Sequence, residues 1–163
     1  MVETKLLDGK SVLIVDDEPD VLETLAQLLP MCEVKKATTF EEAERLFEKE
    51  HFDIAVLDIM GVDGYKLLEI SKSKGVIAVM LTAHALSPRH VVKSFKGGAA
   101  SYLPKDEMVN IADFLEEILE AEAKGKHLWW RWLDRWGDYY EKKFGPDWQK
   151  EDKEFWEKFK YWI

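Results

Sequence analysis

Acidic, hydroxyl and amine side chains stand at the ends of separate apolar runs in this chain. The acidic pair Asp16 and Asp17 follows SVLIV, Asp58 ends FDIAVLD, Thr82 ends GVIAVMLT, and Lys105 follows ASYLP. Because the carboxyl ends of parallel strands line one crevice of an open α/β sheet, these distant side chains are expected to share one small volume. Three carboxylates, one hydroxyl and one ammonium in such a crevice predict a magnesium-dependent, phosphoryl-accepting site.

The adjacent acidic residues Asp16, Asp17 and Glu18 allow two interpretations. Acidic side chains are favourable at a helix N-terminus, so they could simply cap the helix that follows. Like charges about 4 Å apart, however, cost on the order of 4 kcal/mol at an effective dielectric near 20, and a divalent cation would remove that cost. Magnesium prefers carboxylate oxygens together with retained water, so this group is a candidate magnesium site.

The remaining three residues also have structural alternatives. Asp58 is followed by a Gly-containing loop. Its carboxylate could hydrogen-bond to the backbone of that turn, or it could be a nucleophile that forms an acyl phosphate. Thr82 suits a strand as a β-branched residue, and its hydroxyl could also bind a phosphoryl oxygen. Lys105 directly precedes the predicted fifth helix, whose dipole disfavours a cation there by about 0.3–1 kcal/mol. We therefore predict that Lys105 pairs with Asp58 and later with the phosphoryl group.

Strand and helix patterns alternate along the first 124 residues. Five apolar, β-branched-rich runs are predicted to be strands, at 11–15, 32–37, 52–57, 75–82 and 100–103. Strands that are apolar almost throughout are typical of a parallel sheet covered on both faces, which predicts an α/β fold, a doubly wound (βα)5 sandwich. Helix starts are marked by Pro19, Thr39, Pro88 and Asp106. The fifth helix is predicted over 106–124, with Val109 in its buried stripe.

Charge is divided unevenly along the chain. Residues 1–125 carry 14 Lys+Arg against 24 Asp+Glu, whereas residues 126–163 carry 9 against 8. The excess of acidic residues over 1–125 argues against nonspecific nucleic-acid binding, because such binding relies on Lys and Arg. The single cysteine, Cys32, excludes an intramolecular disulfide and fits a reducing compartment. With no signal-peptide stretch and no run of about 20 apolar residues, the expected location is cytoplasmic.

The last 38 residues differ in composition from the rest of the chain. They hold all seven Trp and 13 aromatic residues in total, with Gly145 and Pro146 dividing them into two amphipathic helical pieces. The predicted organisation is an N-terminal arm (1–9), an α/β domain (10–124) and a Trp-rich helical tail (125–163). Two helices alone cannot bury so many rings, so we expect the tail to dock on the domain, on a second copy or on a protein partner. A membrane surface is the less favoured alternative, because the tail has little net charge.

With these motifs in view, residues 10–122 resemble a two-component response-regulator receiver domain of the CheY-like type. The resemblance rests on VDDE after the first strand, LD after the third, TA after the fourth and GAASYLPK around the fifth. It implies a flavodoxin-like sheet in the order 2-1-3-4-5 and a signalling role without a dedicated enzymatic activity. It also implies that Asp58 accepts a phosphoryl group from a sensor histidine kinase or a phosphotransfer protein.

The same resemblance implies a ligand set for magnesium. Asp17, Asp58 and the backbone carbonyl of Met60 would bind Mg2+ directly, and Asp16 would act through water. The family commonly has a longer loop with a Pro after the phosphoacceptor, whereas DIMGVDG is about two residues shorter and has none. Magnesium geometry and partner recognition could differ here for that reason.

The resemblance further implies a switch. Lys105 and Thr82 would hold the phosphoryl oxygens, and Tyr102 would turn inward when Thr82 moves. The fourth helix, fifth strand and fifth helix would then contact a downstream protein or form a homodimer. Asp106 follows the lysine where the family commonly has a cis proline; because a non-proline cis bond costs about 2.5–4 kcal/mol, a trans bond is expected.

Two other functions remain open at this point. A haloacid-dehalogenase-type phosphohydrolase also uses an Asp nucleophile with magnesium, but it usually needs a second Asp two residues later, where this chain has Met60. A phosphorylation-independent adaptor would keep the fold and ignore phosphate. His84, two residues after Thr82, also has two interpretations. It lies at a position where receivers tune dephosphorylation, or it is simply a partly exposed loop histidine.

Overall fold

The computed structural model describes residues 6–82 and 88–125, together with Lys142. Strands and helices alternate along these residues as β1 (Ser11–Val15), α1 (Pro19–Leu28), β2 (Glu33–Ala37), α2 (Phe40–Lys49), β3 (Ile54–Asp58), α3 (Gly64–Ser73), β4 (Ile77–Thr82), α4 (Pro88–Lys96), β5 (Ser101–Pro104) and, after a 3₁₀ turn at Lys105–Asn110, α5 (Ile111–Ala123). His84 and, apart from Gly125 and Lys142, the predicted Trp-rich tail lie outside the described residues.

All five strands pair in parallel, in the order β2-β1-β3-β4-β5. The predicted doubly wound α/β fold and its strand order are therefore confirmed. The central strands β1, β3 and β4 are buried along almost their whole length, as their continuous apolar runs predict. β2 and β5 form the two edges of the sheet.

Local sequence signals set where two of the helices begin. Pro19 stands in the first turn of α1, and Glu18 is its N-cap residue. Thr39 caps α2, because its hydroxyl oxygen accepts a hydrogen bond from the backbone N–H of Glu42. Both starts agree with the sequence prediction.

The start of the fifth helix is a correction. Residues Lys105–Asn110 form a 3₁₀ turn, and the α-helical part begins only at Ile111. Val109 is 66% exposed instead of lying in the buried stripe, which consists chiefly of Ile111, Phe114, Leu115 and Ile118. A 3₁₀ helix has three residues per turn and an α-helix has 3.6. A buried stripe predicted with the α-helical spacing therefore selects the wrong residues in the 3₁₀ turn.

A buried carboxylate on α5 holds the beginning of the described chain. The Glu116 side chain is 1% exposed and accepts hydrogen bonds from the backbone N–H groups of Leu6 (3.1 Å) and Leu7 (3.0 Å). Hydrogen bonds to an ionised acceptor are stronger than those between neutral groups. The Leu7 side chain is fully buried in the core, so the last residues of the predicted arm pack against the domain.

Among the described residues, no helix combines the length and apolar character that crossing a membrane requires.

Candidate functional site

Strand register brings the predicted site residues to one edge of the sheet. Val15 pairs with Leu57, so the next residues, Asp16 and Asp58, lie side by side at the carboxyl ends of β1 and β3. Asp58 pairs with Leu81, which places Thr82 one residue beyond it. Thr82 in turn pairs with Pro104, the residue before Lys105. The parallel register thus collects these side chains at the carboxyl end of the sheet, where α/β folds bind ligands.

Lys105 lies among three carboxylates. Its Nζ is 2.7 Å from Oδ2 of Asp16, 3.4 Å from Oε1 of Glu18 and 3.6 Å from Oδ1 of Asp58. The sequence interpretation named Asp58 as its partner, whereas Asp16 is the closest carboxylate. Glu18 was not predicted as a partner at all. Lys105, Asp16 and Asp58 are all buried, so their two ion pairs form with little screening by water, whereas the Glu18 side chain is 59% exposed.

Three consecutive acidic residues form a candidate metal-binding group among the described residues. Asp16, Asp17 and Glu18 each offer a carboxylate oxygen, and these oxygens lie within 4.8 Å of one another. Asp16 is fully buried, while Asp17 and Glu18 are exposed. The backbone N–H of Glu18 donates to Oδ1 of Asp16 at 2.9 Å, which fixes that carboxylate in place. The donor set is therefore oxygen-only and open to solvent on one side, which fits Mg2+.

Burial and like charge disfavour ionisation of two carboxyl groups. Burial, assisted by the charges of Asp16 and Asp17, raises the pKa of Asp58 to about 7, against the opposing effect of Lys105. Burial also raises the pKa of Asp16, although the hydrogen bond from Lys105 opposes this. For Lys105, burial lowers the pKa, but the hydrogen bond to Asp16 and the charge of Asp58 outweigh it, and the net shift is upward.

Two glycines allow the short loop after Asp58 to fold against the site. Gly61 has a φ of +85°, and a Cβ there would lie 2.6 Å from Oδ2 of Asp17. A Cβ on Gly64 would collide with the backbone carbonyl oxygen of Asp58. The loop therefore closes within five residues, with Asp63 in a left-handed conformation before α3 begins. The side chain of Met60 is 61% exposed on the outside of this loop.

The two predicted switch residues are both buried. Thr82 is 1% exposed at the end of β4, and Tyr102 is fully buried in β5. Tyr102 pairs with Met80, two residues before Thr82, on the neighbouring strand. Thr82 and Tyr102 are therefore close along adjacent strands, and their role as a switch stays a prediction.

A contact between α3 and α4 was not predicted from the sequence. The hydroxyl of Tyr65 is 2.6 Å from Nδ1 of His90, and Lys93 lies over the Tyr65 ring at 4.1 Å from its centre. Burial, with the charge of Lys93, lowers the pKa of His90. Tyr65 stands one residue after Gly64, so this contact joins the end of the Asp58 loop to α4. Nothing in the residue spacing signals it, because the partners belong to different helices.

The fold and the site define a flavodoxin-like α/β domain with an acidic edge, and comparison identifies its family. The family model described as "Response regulator receiver domain" matches residues 12–118. The chain belongs to this receiver family of two-component systems. Its members are signalling domains and not dedicated enzymes, as predicted, and phosphorylation and magnesium are typical of them.

Similar proteins come from plants and bacteria. The two-component response regulator ARR10 of Arabidopsis thaliana is 35% identical, over 67% of this chain and 22% of its own length. The heme response regulator HssR of Staphylococcus aureus is 37% identical, over 57% of this chain and 43% of its own. The chain thus matches less than half the length of either relative.

Solved structures support the same fold. A CheY-like response regulator receiver domain from Methanospirillum hungatei JF-1 is 31% identical, with a TM-score of 0.65, over 72% of this chain and 99% of that chain. A putative response regulator from Chloroflexus aurantiacus J-10-fl is 30% identical, with a TM-score of 0.62, over 69% of this chain and 99% of that chain.

Proposed function

We propose that Asp58 is the phosphoacceptor of this receiver, in a magnesium-dependent reaction with a sensor histidine kinase or a phosphotransfer protein. The observation that carries the proposal is the placement of Lys105, whose ammonium lies 3.6 Å from Asp58 and 2.7 Å from Asp16 at the carboxyl edge of the sheet. A buried cation beside a carboxylate is suited to stabilise the negative charge of a phosphoryl group transferred there.

The reaction is a displacement at phosphorus. A carboxylate oxygen of Asp58 attacks the phosphorus of the phosphohistidine, the P–N bond breaks, and the imidazole leaves with the bonding electron pair. The product is an acyl phosphate on Asp58. Asp58 must be ionised to attack, and the adjacent Lys105 favours the ionised form against burial and the neighbouring carboxylates.

A magnesium ion fits the oxygen donors at this site. Asp17, Asp58 and the carbonyl oxygen of Met60 would hold it, with Asp16 acting through water. The bound ion supplies positive charge that offsets the carboxylates and the phosphoryl oxygens. The buried position of Asp16 and its bond to Lys105 suit an indirect role better than direct binding.

The signal would leave the site through Thr82 and Tyr102. The Thr82 hydroxyl would bind a phosphoryl oxygen, and the Tyr102 ring would follow its movement. Phosphorylation would shift the population of two conformations only through contacts that differ between them. The surface made by α4, β5 and α5 would then bind a downstream protein or a second copy, in the cytoplasm.

Intact mass after incubation with magnesium and acetyl phosphate tests the acceptor. The wild-type chain is expected to gain one phosphoryl group and Asp58→Asn none, because the amide is a poor nucleophile. Asp20→Asn, an exposed acidic position on α1, is the matched control and should behave like wild type. An equal adduct in Asp58→Asn contradicts the assignment. If the wild type gains no adduct and also fails to bind beryllofluoride, the phosphorylation-independent adaptor is the better interpretation.

Gly61→Ala is expected to weaken magnesium binding about 10-fold or more, a size typical of changes that displace a metal ligand's support. The added Cβ would lie 2.6 Å from Oδ2 of Asp17, and alanine disfavours the φ of +85°. Gly75→Ala is the control, because Gly75 has a φ of +70° but open space around it. Magnesium titration of both variants measures the effect; equal affinities of the two variants would show that the approach of Gly61 to Asp17 does not affect magnesium binding.

A further inference from the structure

The Asp58 loop, residues 59–63, is tied to a different element at each of its ends. At its start, the backbone N–H of Ile59 donates to the carbonyl of Leu81 at 3.1 Å, which joins the loop to β4. Just beyond its end, Tyr65 is the second residue of α3 and contacts His90 on α4. The far end of the loop is thus in contact with α4.

The first turn of α3 lacks features that usually hold the start of a helix. Its N-cap residue, Asp63, has a φ of +56°, a left-handed conformation that Gly adopts more readily than Asp. Within the described part of the chain, the Asp63 side chain makes no capping hydrogen bond and pairs instead with Lys66 at the surface. A helix start without a side-chain cap depends more on contacts with neighbouring elements.

Tyr65 supplies three such contacts. Its hydroxyl is 2.6 Å from Nδ1 of His90, and the two rings are nearly parallel, with 6° between their planes and 5.9 Å between their centres. Nζ of Lys93 lies over the Tyr65 ring at 4.1 Å from its centre. Burial raises the pKa of Tyr65, whereas burial and the charge of Lys93 lower the pKa of His90. The phenol therefore keeps its proton at neutral pH, and a neutral imidazole can accept it in a hydrogen bond.

Gly64 connects Tyr65 to the phosphoacceptor without free space between them. A Cβ on Gly64 would collide with the backbone carbonyl oxygen of Asp58. The N–H of Gly64 also donates to the carbonyl of Ile59 at 3.2 Å, which closes the loop on itself. Close-packed protein interiors have low compressibility and transmit displacements. A shift of Tyr65 should therefore move the loop backbone that follows Asp58.

We propose that the Tyr65–His90 pair positions the Asp58 loop, so that a movement of α4 changes the arrangement of oxygen atoms at the carboxyl edge of the sheet. Tyr65 and His90 are positioning residues, because they act through the loop backbone. The consequence for metal binding rests on the proposed function, in which this loop offers the Met60 carbonyl to magnesium. The pair is separate from the proposed switch residues of β4 and β5.

Amide hydrogen exchange, followed by NMR in the full metal-free chain, tests the hold on the loop. The reporter is Gly64, and the reference is Val76, whose N–H donates to a carbonyl at the other end of α3. Tyr65→Phe removes the hydroxyl alone, and His90→Phe removes Nδ1 while keeping an aromatic ring. Each is expected to raise the exchange rate of Gly64 relative to Val76 about 5-fold, the size that loss of one ordinary hydrogen bond gives. The ratio cancels changes in global stability.

Calorimetric titration with magnesium alone measures the consequence at the site. Tyr65→Phe and His90→Phe are each expected to weaken binding about 3- to 10-fold, less than is typical when a direct support of a metal ligand is lost. The double variant should bind no more weakly than either single variant, because both changes remove the same hydrogen bond. A purely structural role would lower the melting temperature and leave the magnesium affinity of the folded chain unchanged.

His51→Phe is the matched control for the histidine change. His51 is exposed and lies between α2 and β3, at the opposite end of the sheet from the carboxylates. This variant should keep both the wild-type exchange ratio and the wild-type magnesium affinity.

Three outcomes overturn the proposal. An exchange ratio in His90→Phe equal to that of wild type shows that α4 does not hold the loop. A raised ratio with unchanged magnesium affinity shows that the hold does not extend to the site. Additive losses in the double variant show that Tyr65 and His90 act independently. A wild-type chain that binds no magnesium contradicts the proposed function instead, and the exchange ratio then decides the positioning role by itself.

Discussion

Lys105→Met is expected to slow phosphoryl acceptance from acetyl phosphate about 10²- to 10³-fold at saturating magnesium, the size seen when one positioned charge-stabilising group is removed. The ammonium of Lys105 lies within 3.6 Å of the Asp58, Asp16 and Glu18 carboxylates. Without it, the phosphoryl oxygens lose a fixed positive charge at the moment of transfer. The buried carboxylates also lose the group that opposes their raised pKa values.

The rate of adduct formation, followed by intact mass, measures this effect. Lys66→Met is the matched control, because the Lys66 side chain is 68% exposed and pairs only with Asp63 at the surface among the described ion pairs. Its rate should stay close to that of wild type. Thermal melting separates a lost reaction from a lost fold. A folded Lys105→Met that accepts phosphate at the wild-type rate rules out the assigned role.

Asp58→Asn is expected to stabilise the metal-free protein, in spite of abolishing phosphoryl acceptance. Asp58 is 5% exposed, and burial together with the charges of Asp16 and Asp17 raises its pKa from the usual 3.8 to about 7. The folded state therefore binds this proton more tightly than the unfolded state. That contribution to stability is complete below about pH 4 and is lost as the pH rises through about 7.

Asparagine does not ionise, so the Asp58→Asn variant does not lose this stability as the pH rises. At 1.36 kcal/mol per pKa unit, the shift sets an upper limit of about 4 kcal/mol on the gain in free energy of unfolding near pH 8, and about 2–4 kcal/mol is expected. The gain should shrink toward pH 5. Magnesium should reduce it, because an ion that binds the folded wild type stabilises that state.

Urea unfolding in a chelator across this pH range tests the prediction. Asp20→Asn, which removes an exposed carboxylate on α1, is the matched control for the change of Asp to Asn. An Asp58→Asn chain that is less stable than wild type near pH 8 would mean that the Lys105 contact outweighs burial and repulsion. The same data confirm that this variant is folded, which the phosphorylation experiment requires.

The sheet and the collection of Asp16, Asp58, Thr82 and Lys105 at one edge followed from the sequence for a simple reason. Each residue ends or follows an apolar run, and parallel register carries that pattern directly into space. The predicted pair of Lys105 with Asp58 is present at 3.6 Å, but the closer contact with Asp16 at 2.7 Å did not follow from the sequence, because Asp16 and Asp58 end neighbouring strands side by side. Such differences arise from side-chain packing, which spacing does not encode.

Other features were missed because they depend on long-range contacts or local changes of period. Glu116 resembles any acidic residue on a helix, yet its partners Leu6 and Leu7 lie about 110 positions earlier in the chain. Val109 fits an α-helical stripe but belongs to a 3₁₀ turn. The Tyr65–His90 contact joins two helices whose relative placement only the folded sheet determines.

The way Glu116 holds the start of the chain defines which residues can stand there. Within the described part of the chain, its carboxylate accepts hydrogen bonds from two main-chain N–H groups and from no side chain, so the bonds themselves do not discriminate among amino acids. Proline alone lacks the required N–H and is excluded at both positions. Position 7 must also be apolar, because its side chain fills the core, whereas the partly exposed position 6 tolerates almost any other residue. Sequence variation at this end of the chain should therefore be wide at position 6 and confined to apolar residues at position 7.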